Sequence, residues 1–197
     1  MAALAQDRAR IGPNAILQHL PVLDNAIGER LRVALLHRAG VAEPPQDAGM
    51  LPEDEVARLH HAVRLFLPDR APDIQRAAGL ATGDYILAHR IPPLAQRLIR
   101  ALPAPLGARL LALAITKHAW TFAGSGAFRV LGFAPLRVEI RDNPLAQHAA
   151  DAPICHWHAA VFERLFGALV WPDVRVVEEH CTAMGAPGCI FRIAPRT

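Results

Sequence analysis

A chain of 197 residues, 52% hydrophobic and 20% charged, has about the length of one domain and enough apolar side chains for a sizeable core, which excludes a second catalytic domain and a largely disordered chain. Its 21 basic residues, all arginine except Lys117, are interleaved with 18 acids for a net charge of +3, a solvated surface and not a nucleic-acid stripe. Three cysteines are too few for a disulfide framework and leave room for a metal site or reactive thiols.

Asp7, Arg8 and Arg10 precede any apolar run, and no leader-peptide core follows them, so a cytoplasmic location is expected. The best apolar run, Leu110 to Ile115, stops at Thr116 and Lys117, far short of the roughly 18 residues of a membrane-spanning helix. Pro13 opens a helical pattern carrying Ile16, Leu17, Leu20, Leu23 and Ile27, with a kink expected at Pro21. Leu31, Leu35 and Leu36 continue it to a stop at His37, Arg38 and Gly40. Val41 to Met50 reads as a loop.

Pro52 followed by Glu53, Asp54 and Glu55 starts another helix, because carboxylates suit the positive end of the helix dipole. Val56, Leu59, Val63 and Phe66 form its buried stripe, and Pro68 closes it. Helices about 73–89, 94–102 and 106–120 follow, separated by prolines. The period then falls to two. Leu136, Val138 and Ile140 alternate with Arg137, Glu139 and Arg141, with Ala127 to Phe133 as hairpin partner. A helix from about His156 to Leu169 leads to a strand near Val174 to Glu178, a Gly-rich loop, and a last strand with Cys189, Phe191 and Ile193 on one face. Gly185 and Gly188 read as a tight turn needing positive φ. The result is a single α+β domain over 1–197, with N-terminal helices (about 11–122) packed on a mainly antiparallel sheet (about 123–195).

The densest chemistry lies near the C-terminus, where Cys155, His156 and His158 are followed by Glu178, Glu179, His180, Cys181 and Cys189. Three thiolates and one further donor would complete a tetrahedral zinc site, although Cys181 and Cys189 are too far apart for a zinc-ribbon knuckle. Buried, inert cysteines are the competing reading. Glu178 reads first as a group that orients such a site from behind, and second as a ligand.

The run Val176 to Phe191 carries valine, Glu178, Cys181, Ala183, Gly185, Cys189 and Phe191 at the spacing V-x-E-x-x-C-x-A-x-G-x-x-x-C-x-F, and so resembles the closing motif of the 4-vinyl reductase domain family. The opening Arg10 to Gln18, the Asp142-Asn143-Pro144 turn and Cys155 to Phe162 resemble its bacteriochlorophyll 4-vinyl reductase branch over nearly the whole chain. The resemblance implies an α+β fold related to the sensing domains of phenol-responsive regulators and to a dimeric vesicle-tethering subunit that holds an acyl chain. In the sensing relatives three cysteines and a glutamate bind zinc beside the ligand pocket. Cys155, Cys181 and Cys189 match those cysteines. The glutamate has no counterpart upstream of Cys155, which leaves His156, His158, Glu139 or Asp142 for the fourth position.

The branch implies work on a bacteriochlorophyll precursor around 8-vinyl (4-vinyl) reduction of divinyl protochlorophyllide or chlorophyllide. A reductase would need NADPH or another redox partner, but Gly124-Ser125-Gly126 fails as a dinucleotide fingerprint and no iron–sulfur cysteine cluster exists. A tetrapyrrole carrier needs only an apolar cavity with aromatic faces and a neutral imidazole for the central magnesium. His118, Trp120, Phe122, Phe128, Phe133, Trp157, His158 and Phe162 are the candidates, each also readable as core. Arg137 and Arg141 could meet pigment carboxylates but read better as a solvated strand face. Expected partners are the pigment precursor, other pathway enzymes and a second copy in a homodimer. The alternatives are the reductase itself and a regulatory or scaffolding module.

Overall fold

In the computed structural model, which describes residues 9–196, the apolar periods of the sequence become two layers, helices on one side and an antiparallel sheet on the other. Asp7 and Arg8, on which the leader reading rests, lie outside the described residues. A two-residue strand β1 (Arg10–Ile11) pairs antiparallel with β2 (Leu51–Pro52), clasping the short helices α1 (Asn14–Leu17), α2 (His19–Ile27) and α3 (Glu29–Ala39). The break expected at Pro21 falls at Gln18 instead. Pro21 sits in the first turn of α2, where a missing N–H costs nothing because those donors have no helical partner. α3 ends as expected on Gly40 at φ 62°.

Pro52 and its three following acids start α4 (Glu53–Phe66), and α5 (Ala71–His89), α6 (Pro93–Ala101) and α7 (Ala104–Lys117) follow, parted by prolines. The single helix expected over 106–120 is two, because the chain turns at His118 and Ala119 before α8 (Trp120–Ala123). Glu53 ties this turn to α4 by accepting from the Ser125 N–H (2.7 Å) and hydroxyl (2.8 Å).

The sheet runs β3 (Ala127–Phe133), β4 (Leu136–Arg141), β6 (Gly188–Pro195), β5 (Val174–His180), with every neighbouring pair antiparallel. Helix α9 (His156–Leu169) packs between this sheet and α5. Leu136, Val138, Ile140, Cys189, Phe191 and Ile193 point to α9 and are at most 2% exposed. The opposite face is polar, where Glu179 accepts from Arg137 and Arg192, and Glu139 accepts from Arg129. Gly185 does take positive φ, 86°. Gly188 does not; its reason is space, since a Cβ there would stand 2.9 Å from Glu139 Oε1.

Candidate functional site

Two constellations meet on α9. The first is the sulfur cluster. Cys155 caps the start of α9, Cys181 follows the end of β5, and Cys189 lies on β6 opposite Ile140, so three separated segments bring three buried sulfurs together. Strand alternation adds Glu178, which pairs with Phe191 and therefore faces inward with it. One ligand atom from each of Cys155, Glu178, Cys181 and Cys189 lies within 4.8 Å of every other, and the Cys155 and Cys189 sulfurs are 3.4 Å apart.

The surroundings hold this cluster in place. Glu178 Oε2 accepts from the Cys155 N–H at 2.9 Å, while its Oε1 is buried without a hydrogen-bond partner among the described residues. Asn143, 1% exposed, donates from Nδ2 toward the sulfurs of Cys155 (3.4 Å) and Cys189 (3.5 Å). The Thr182 N–H points at the Cys189 sulfur from 3.4 Å. Hydrogen bonds from Cys155 and Cys181 hold Cys189 far below the usual thiol range, so it carries the cluster's thiolate. Sulfur hydrogen bonds and burial push the Cys155 thiol well up. Cys155 pulls Cys181 down, but its bond to Cys189 and burial prevail and push it up to about 12. Burial raises Glu178 to about 7 against the hydrogen bonds it receives from Cys155 and Cys181.

The donor beside the three sulfurs is thus Glu178, not His156 or His158. His156 lies near Arg64, Asp73 and Arg76, whose charges act on it. Glu139 is on the other face of the sheet with Arg129 and Arg141, and Asp142 is an exposed turn residue at φ 49°. Three sulfurs and one carboxylate oxygen, with N–H groups aimed at two of the sulfurs and one carboxylate oxygen left over, fit a closed tetrahedral zinc site. Bound there, the ion would supply a structural cross-link and neutralise the thiolates.

The second constellation is a cavity of about 420 Å³ between α9, α5, α7, α8 and the β1–α1 turn. Six of the candidate ligand residues line it: His118, Trp120, Phe122, Trp157, His158 and Phe162. Phe128 stands one layer behind, packed edge-on to Phe122 at 5.4 Å and tilted to Phe162 at 6.0 Å. Phe133 is a surface residue under Arg109, 4.9 Å from its ring centre, because a bulge after Val130 shifts the alternation of β3. Arg137 and Arg141 are held on the far face of the sheet by Glu179 and Glu139.

His158 is 1% exposed and its Nε2 has no hydrogen-bond partner among the described residues. Burial pushes its pKa down to about 4, against the pull of the Cys189 sulfur and the Phe122 backbone, so the ring is neutral at physiological pH. Trp157 is fixed by donating from Nε1 to the Thr82 hydroxyl at 3.2 Å. Exposed Arg90, Ala114, His118 and Trp120 form the rim. Arg90, the one permanently charged lining residue among the described residues, has no signal in the sequence beyond its place just after a helix, and was not anticipated. Neither were Thr82 and Leu111, which read as ordinary helix positions.

A 4-vinyl reductase domain model matches residues 136–195. The chain is 61% identical over 95% of its length to the bacteriochlorophyll synthase 23 kDa chain of Cereibacter sphaeroides, covering 91% of that protein. It is 55% identical over 96% of its length to the protein of the same name from Rhodobacter capsulatus, covering 89% of it. Among solved structures, the phenol-responsive sensory domain of the transcription activator PoxR superposes with a TM-score of 0.55 at 15% identity, covering 84% of this chain and 90% of that one. An H-NOX protein from K. algicida gives 0.57 at 11% identity, covering 95% and 97%. These two likenesses are of fold alone.

Proposed function

This chain belongs to the 4-vinyl reductase domain family, among the bacteriochlorophyll synthase 23 kDa chains, and from that premise we propose that it is an accessory protein of bacteriochlorophyll biosynthesis that holds a Mg-tetrapyrrole precursor in its cavity. The observation that carries this is the cavity itself. It is apolar, walled by Trp157, Phe122 and Phe162, and presents at His158 a buried neutral imidazole with an unused nitrogen. Such a nitrogen suits the open axial position of a chelated magnesium. Its volume lies in the range of small-molecule sites, and Arg90 at the rim offers a cation to a pigment carboxylate.

The carrier acts around 8-vinyl (4-vinyl) reduction of divinyl protochlorophyllide or chlorophyllide, handing the pigment to other enzymes of the pathway in the cytoplasm. Support for partner enzymes comes from the relatives' designation as a synthase chain. The zinc cluster, in this reading, pins the start of α9 to β5 and β6 and so fixes His158 one turn further on. Anaerobic titration with divinyl protochlorophyllide, with and without NADPH, tests the function by absorbance and by chromatography of the extracted pigment. A saturable shift with the vinyl group intact is expected. Conversion to the monovinyl pigment would make the protein a reductase, and no shift would leave a scaffold that pairs enzymes or copies of itself.

A further inference from the structure

From Tyr85 to Val138 the sequence contains no aspartate or glutamate, although the chain has 18 acids elsewhere, and Arg90, Arg97, Arg100, Arg109 and Lys117 fall inside this stretch. The fold turns its centre into α6, α7 and α8. On α6, Leu94 (78% exposed), Arg97 and Leu98 (55%) share one outward stripe at i, i+3 and i+4 spacing. α7 is apolar on both sides. Its inner stripe Gly107, Ala108, Leu111 and Ala112 is buried, while Leu106, Leu110 and Leu113 lie outward with Arg109 and Lys117. A helix apolar all round needs a cover on both faces. Trp120, 60% exposed, continues the surface at the cavity rim.

We propose that α6, α7 and Trp120 form a docking surface for a bilayer face carrying anionic headgroups. Three features of the surface match that partner. Short helices with outward leucines and flanking cations lie flat in the headgroup region, and no helix among the described residues is long and apolar enough to cross. Arg97 and Lys117 make no hydrogen bond or ion pair among the described residues, which leaves them for phosphates. Tryptophan favours the interface between acyl chains and water. A second copy fits worse, because twofold pairing of the patch with itself would set cations against cations with no acid to offset them.

The surface and the cavity mouth share Trp120 and lie on either side of His118 and Arg90, so docking turns the mouth to the membrane. On the pocket reading above, an apolar pigment would then pass between bilayer and cavity without crossing water.

Flotation of the pigment-free full chain with phosphatidylcholine vesicles, with and without phosphatidylglycerol, tests docking separately from pigment binding. The chain is expected to float with the acidic vesicles only, to be released by salt, and to show a blue shift of tryptophan emission. R97Q/K117Q should weaken partitioning about thirtyfold, at roughly fivefold per cation. L94Q/L98Q/L113Q should abolish it with an unchanged thermal midpoint, since all three side chains are exposed. A114W, which plugs the cavity mouth, should float like the parent. Failure of the parent chain to float with acidic vesicles overturns the proposal. So does a dimer that L98Q/L113Q dissolves in a chain that binds no vesicle, which would assign the surface to a second copy.

Discussion

A Cβ on Gly79 of α5 would stand 2.7 Å from the Cβ of Ala160 on α9, and closer still to the carbonyl oxygen of Trp157. One turn on, a Cβ on Gly83 would meet the Arg164 side chain at 2.6 Å. The two glycines form the groove in which α9 lies, and α9 carries Trp157, His158 and Phe162 to the cavity. Alanine in a helix interior ordinarily gains about 1 kcal/mol over glycine. Here the sign reverses. Gly79→Ala is expected to cost about 2 kcal/mol through overpacking, whereas Gly49→Ala, with nothing within 4 Å of its Cβ, should leave the denaturation midpoint nearly unchanged.

The sulfur cluster should hold one zinc per chain. Metal analysis of purified protein, and the sulfur-to-metal charge-transfer band of the cobalt form, would show it. Cys181→Ser and Cys189→Ser are expected to lose the band. Asn143→Ala removes donors to two sulfurs and should weaken affinity by about 10- to 100-fold. A strong chelator should lower the thermal midpoint of the parent but not of Cys189→Ser.

His158→Phe separates ligation from folding. The imidazole Nε2 has no hydrogen-bond partner among the described residues, so its loss should leave stability the same or higher. Pigment should bind the variant at least tenfold more weakly and without the spectral signature of an axial imidazole. Should His158→Phe give the same spectrum as the parent, the magnesium is held by another group.

Acid should destabilise the fold through its buried histidines. His19, 0% exposed, is pushed down to about 4 by burial, against the pull of its bond to the Ala15 carbonyl, and burial sets His60 well below the ordinary range as well. The unfolded chain takes up these protons near pH 6.5, whereas the folded chain refuses them. Stability is therefore complete above about pH 6.5 and falls as pH drops toward 4, by up to about 1.4 kcal/mol per pH unit for each such group. Denaturant midpoints between pH 7 and pH 4.5 should fall less steeply in His19→Gln than in the parent. Parallel slopes would refute this account.

Local patterns in the sequence determined the elements of this protein. Prolines and first-turn acids marked α4, α5 and α6, the change of period marked β4, and the spacing of Glu178, Cys181, Gly185 and Cys189 marked the family, because each is a short-range signal. The same alternation that buries Val174 and Val176 also turns Glu178 inward, yet only the meeting of β5, β6 and the start of α9 made it the donor beside three sulfurs in preference to His156 or His158. Nothing local separated Phe122 and Phe162, which wall the cavity, from Phe128 behind them and Phe133 outside. That choice depends on a bulge in β3 and on how closely α9 sinks into Gly79 and Gly83. A cavity is the space left between elements distant in the chain, so no window of sequence contains it. Tertiary packing alone decided its walls, its rim at Arg90 and Trp120, and which leucines of α7 were left outside.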